Sequence, residues 1–104
     1  YVESAPSKGV EVLIGAAGGS AALPGTLAAW STIPVIGIPL TSSELNGLDS
    51  LYSIAQMPPG VPVACVAIGS WGARNAGFLA TQILGLKYQQ YADNYKKYRD
   101  SLKS

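Results

Sequence analysis

Three short runs along the chain are apolar on consecutive residues: Val10–Ile14, Val35–Ile38 and Val63–Ile68. Consecutive rather than alternating apolarity is the pattern of strands buried on both faces, as in a parallel sheet. The stretches between them are long enough to hold a crossover helix each, which parallel pairing demands. The pattern predicts helices over Ala21–Trp30, where Pro24 falls in a first turn that needs no donor from it, and over Leu48–Gln56. Asp49 or Ser50 opens the second of these, and Pro58, Pro59 and Gly60 stop it. After the third strand, Ala73–Leu84 reads as a helix ended by Gly85. The order β-α-β-α-β-α predicts an α/β layered fold.

The last segment has a different period. Tyr88, Tyr91, Tyr95, Tyr98 and Leu102 recur at steps of three and four and draw one stripe along a helix. Asp93 with Lys97, and Lys96 with Asp100, stand four apart and are expected to pair on its outer side. Tyrosine rings bury apolar area while their hydroxyls stay near water, so the stripe suits packing on the domain or on a neighbouring subunit. A sheet of three such apolar strands leaves a hydrophobic edge open. Tyr1–Ala5 reads as the end of a helix leading into the first strand, so further strands are expected before Tyr1.

Composition narrows the function classes. Charged residues make up 12% of the 104, against about a quarter in an ordinary domain, and apolar residues 48%. That balance excludes disorder and points to a surface covered by other subunits or to part of a larger fold. The net charge is +1, and the basic residues of the tail are interleaved with Asp100, so no nucleic-acid stripe forms. Gly and Pro interrupt every apolar stretch before it reaches membrane-spanning length. The lone Cys65 sits in an apolar run as a small core residue, and a disulfide framework is impossible with one cysteine, which makes a cytoplasmic setting the expectation. The chain has no His, which argues against a zinc or haem site; no metal and no cofactor are expected.

The candidate chemistry lies in the turn Gly15–Gly25, which follows a strand and opens a helix. Backbone N–H groups at such a helix start attract anions, and Gly18 and Gly19 let a ligand approach the main chain. The turn matches neither the dinucleotide fingerprint nor the P-loop. The loop after the second strand carries Thr41, Ser42 and Ser43, hydroxyls suited to ribose or phosphate. Both fall at the carboxyl ends of parallel strands, where ligands collect. Glu44 and Asp49 are the carboxylates near that edge; they offer an acid–base pair, and Asp49 serves equally as a helix cap.

Over Glu3 to Gly85 the sequence resembles the class I 5-(carboxyamino)imidazole ribonucleotide mutases, the aminoimidazole ribonucleotide carboxylase catalytic subunit family of purine biosynthesis. The resemblance is carried by Gly18–Gly25, by Pro34–Pro39, by Asn75-Ala76, and above all by the uninterrupted stretch Leu45–Val63. It implies a three-layer flavodoxin-like subunit with a parallel sheet, partial over 1–86, with a carboxy-terminal helix over 87–104, assembled as a homo-octamer. Ala17, Gly18, Gly19, Ala21, Ala22 and Leu23 are implied to line the substrate pocket, and Gln56, Met57 and Pro58 to close it near a subunit boundary. The implied substrate is a ribonucleotide, decarboxylated and then recarboxylated with the carbon dioxide held in a dry pocket. The family's Gly-Ser-x-Ser-Asp turn and its Ser-Ala-His-Arg loop, which supplies the catalytic His, are implied to lie upstream of Tyr1, so no catalytic residue is assigned here. Bacterial mutases usually carry a His where this chain has Ala22, which leaves open a sister activity, direct carboxylation of aminoimidazole ribonucleotide. A non-catalytic subunit of the same fold is the third reading.

Overall fold

The computed structural model describes residues 1–18, 22–41 and 45–103. Its elements in order are β1 (Leu13–Ala17), α1 (Ala22–Ala29), β2 (Val35–Pro39), α2 (Leu48–Ala55), β3 (Ala64–Cys65), α3 (Ser70–Gly85) and α4 (Gln89–Ser101). The three strands form one parallel sheet in the order β1-β2-β3, with Leu13 opposite Val35 and Ile36 opposite Ala64. This is the expected α/β arrangement in three layers.

The central strand explains the layering. All five residues of β2 are buried, and alternate side chains point to opposite faces. Ile36 and Ile38 meet Ala76 of α3, with Leu79, Ala80 and Ile83 packed around them. On the other face an added Cβ at Gly37 would lie 2.5 Å from Ile54 of α2 and 3.2 Å from Pro24 of α1. Glycine at the centre of β2 therefore lets both helices sit close on the sheet.

Several boundaries differ from the sequence expectation. β1 begins three residues later than Val10 and runs on through Gly15, Ala16 and Ala17. Val10 is held instead by its N–H to the Ala5 carbonyl, after a left-handed Gly9 (φ 84°). Glycine is favoured at position 15, because a Cβ there would come within 3.0 Å of Leu27 in α1. The amino-terminal segment holds two 3-10 turns, Val2–Ser4 and Pro6–Lys8, where the end of a helix was expected.

β3 is shorter than Val63–Ile68, and α3 starts at Ser70, three residues before the expected Ala73. Its path still follows β2, with Val66 N–H donating to Gly37 O at 3.0 Å and Gly69 N–H to Pro39 O at 2.9 Å. Gly85 is the last residue of α3 rather than a left-handed stop. It is a crossing point, since a Cβ there would lie 3.1 Å from the backbone N of Ala92 in α4.

α4 folds back on α3. Phe78 stacks on Tyr98 (4.7 Å between centroids, 23°) and meets Tyr95 at 6.1 Å. Both ends of the stripe are more open, with Tyr91 and Leu102 exposed. The charges pair differently from the expected four-residue steps. Asp93 accepts from the Gln89 amide at 2.9 Å, and Asp100 pairs with Lys103 at 3.9 Å.

Candidate active site

The carboxyl ends of β1 and β2 bring the two candidate loops to one edge of the sheet. Ala17 ends β1 opposite Pro39, and its carbonyl accepts the Leu40 N–H at 3.0 Å. Gly18 follows, half-buried, and Ala22 and Leu23 open α1 with Leu23 exposed. Gly19 and Ala21 lie outside the described residues, as do Ser42, Ser43 and Glu44 of the second loop. The glycine turn is therefore shorter than Gly15–Gly25, since its first three residues belong to the sheet.

The start of α2 closes the same edge. Gly47 is left-handed (φ 89°) and precedes Leu48, so the helix opens before Asp49 and Ser50, the two residues expected to cap it. Ser50 is fully buried and its hydroxyl donates to the Leu40 carbonyl at 3.1 Å, tying α2 to the end of β2. An added Cβ on Gly47 would meet the Ile68 side chain at 2.7 Å, so the start of α2 lies directly on the chain leaving β3. Thr41 is exposed at this edge.

The stretch after α2 reaches back to α1. Gln56 caps α2 with its N–H on the Tyr52 carbonyl at 2.9 Å, and the Met57 N–H bonds Ala55 O at 3.0 Å. Met57 is half-buried, and its thioether lies against α1 at Gly25, where a Cβ would be 3.3 Å from Sδ. Gln56 and Pro58 flank it and are exposed. Met57 is thus joined to the helix that the glycine turn opens. Gly25 ends the turn Gly15–Gly25 in the sequence but is not among the candidate binding residues.

Cys65 is half-buried, and burial pushes its thiol above the ordinary value. No cluster of three His, Cys, Asp or Glu occurs among the described residues. The surroundings of Ala17, Gly18, Ala22, Leu23 and Met57 offer backbone groups and apolar side chains. Such a site can bind an anion through main-chain N–H groups.

A separate cleft of about 850 Å³ runs along β1 and the α3–α4 turn, and includes Val12, Ile14, Leu84 and Tyr91. There Glu11 accepts hydrogen bonds from the Tyr88 hydroxyl and, at 3.3 Å, from Lys87. The Tyr88 bond and then the Lys87 charge hold the Glu11 carboxyl below its ordinary range. None of the described candidate residues lines this cleft.

The sequence model of the AIR carboxylase family matches residues 1–104. The N5-carboxyaminoimidazole ribonucleotide mutase of Saccharolobus solfataricus is 54% identical over 104 residues, all of this chain and 65% of that protein. The enzyme of the same name from Pyrococcus abyssi is 55% identical over 103 residues, 99% of this chain and 58% of the relative. That of Thermotoga maritima is 53% identical over 103 residues, covering 99% and 59%. The chain thus spans about three-fifths of the length of the curated relatives it matches. With a family match over every residue and relatives more than half identical, the chain belongs to the AIR carboxylase family.

Proposed function

We propose that this chain forms part of an enzyme of purine biosynthesis that interconverts 5-(carboxyamino)imidazole ribonucleotide and 4-carboxy-5-aminoimidazole ribonucleotide. The observation that carries the proposal is the similarity, over the whole chain, to proteins named N5-carboxyaminoimidazole ribonucleotide mutase. Ala17, Gly18, Gly19, Ala21, Ala22 and Leu23 bind the substrate at the end of β1, and Gln56, Met57 and Pro58 form the wall across from them. The N–H groups at this turn hold anionic oxygens, and the apolar Ala22, Leu23 and Met57 keep water from the carbon dioxide that passes between nitrogen and carbon. The chain holds no His. The group that relays the proton in this proposal is supplied from outside these 104 residues.

The setting proposed is cytoplasmic, and no described helix is long and apolar enough to cross a membrane. The subunits assemble as an octamer, with the exposed Trp71, Tyr91 and Leu102 among the surfaces that neighbours cover. Ala22 favours a second reading. An alanine in the first turn of α1 offers no side-chain hydrogen bond to a carboxylate, which suits direct carboxylation of aminoimidazole ribonucleotide.

One assay separates the readings: turnover with the carboxyamino substrate against turnover with aminoimidazole ribonucleotide plus bicarbonate. Reaction with the first alone supports the mutase, and reaction with the second supports the carboxylase. No reaction with either by the intact native protein refutes both and leaves a non-catalytic subunit.

A further inference from the structure

Gly25 lies one turn into α1, and glycine is the weakest helix former after proline. Its backbone does not require glycine, because the described glycines with positive φ are Gly9, Gly47, Gly60 and Gly69. Among the described residues, the atoms within 4 Å of an added Cβ are Sδ and Cε of Met57, at 3.3 and 3.5 Å. The neighbour that an added side chain would displace here is therefore the thioether of Met57. Gly77 in α3 is a contrast, since a Cβ there meets nothing within 4 Å.

We infer that Gly25 is a positioning residue: by withholding a side chain it lets Met57 lie flat on α1 and sets the wall that the 56–58 stretch presents to the ligand. The inference rests on the ribonucleotide reading above. Met57 has a flexible, unbranched side chain, so an added methyl displaces it by a few tenths of an ångström without breaking the fold. The consequence falls on ligand binding. Helix α1, given alanine in place of glycine, becomes no less stable.

The test compares native protein with Gly25→Ala in three measurements. These are calorimetric binding of 4-carboxy-5-aminoimidazole ribonucleotide, the thermal melt, and the position of the Met57 methyl signal after ¹³C-methyl-methionine labelling. Met57 is the single methionine of this sequence, and Met57→Leu confirms the assignment. The expected result is binding weakened about threefold to tenfold, a shifted methyl signal, and a melting temperature equal to or above that of the native protein. Unchanged affinity in Gly25→Ala overturns the inference while the function stands. Weakened binding together with a lowered melting temperature also overturns it, because the role is then structural. Failure of the unsubstituted protein to bind refutes the ribonucleotide reading itself, and the inference falls with it.

Discussion

Replacing Gly37 by alanine tests whether the helices are held close to the sheet by the absence of one methyl group. The new Cβ would lie 2.5 Å from Ile54 Cγ2, 3.0 Å from Val63 Cγ1 and 3.2 Å from Pro24 Cβ. Carbon atoms in good contact stand about 3.5–4.0 Å apart, so Ile54 must retreat by about 1 Å. Ile54 and Pro24 are among the fully buried side chains, which leaves neither an easy direction of escape. Overpacking of a tight core costs about 1–3 kcal/mol, and three crowded neighbours put this position in the upper half of that range. Alanine returns about 0.5–1 kcal/mol by losing less backbone freedom on folding. The net loss is about 1–2.5 kcal/mol, and a domain of this size loses about 4–8 °C per kcal/mol. Thermal unfolding followed by circular dichroism should therefore show the midpoint lowered by about 5–20 °C. Gly77→Ala is the control and should raise stability by up to about 1 kcal/mol, since nothing crowds its Cβ. A Gly37→Ala protein as stable as the native one would refute the close-packing argument.

Three further outcomes follow from the packing and the charges. Phe78→Ala removes the ring on which Tyr95 and Tyr98 rest and should cost about 1–3 kcal/mol, less than a fully buried phenylalanine because Phe78 is only half-buried. Hydrogen exchange should then show lost protection across 89–101 before other helices. Glu11 has a lowered pKa, held down first by the Tyr88 hydroxyl and then by Lys87, and Lys87 a raised one, through Tyr88 and then Glu11. This three-residue cluster therefore stabilises the fold between the two ordinary values of 4.5 and 10.5. The Glu11 contribution is lost as pH falls through its depressed folded value, and the Lys87 contribution as pH rises through its elevated one. Melting temperatures of native protein and Glu11→Gln should therefore converge at acid pH, and a constant difference would contradict the assignment. Asp100→Asn breaks an exposed pair and should change stability by less than about 0.5 kcal/mol in a urea titration.

How much of this was readable in the residues depended on what each segment had to do. β2 and α2 were plain, because five buried residues in a row and the Pro58–Gly60 stop carry strong local signals. β1 was displaced because its second half is Gly15, Ala16 and Ala17, small residues with little hydrophobic signal, of which Gly15 answers to the approach of α1. The start of α3 was hidden since Ser70, Trp71 and Gly72 look like a loop; in the fold Gly72 sits against the Ala67 carbonyl, where no side chain fits. Gly85 gave the signal of a helix stop, and α3 does end there; its close approach to Ala92 of α4 shows only in the fold. Asp49 and Ser50 looked like caps, and only the fold reveals that the Ser50 hydroxyl turns inward to Leu40.

The candidate site was less accessible to pattern. Its glycine turn fits no general nucleotide fingerprint, and Gln56, Met57 and Pro58 carry no chemical signature of their own. Those residues were named through resemblance to a family, and the packing of Met57 on Gly25 joins the two stretches by an observable contact.

The most direct test of the account is a hydrogen-exchange footprint of 4-carboxy-5-aminoimidazole ribonucleotide on the native protein. Binding as described protects backbone amides in 16–25 and 56–60 and leaves 9–12 and 87–91 unchanged. Protection concentrated along the Glu11–Tyr88 cleft instead, with the end of β1 unaffected, would contradict the site at its foundation.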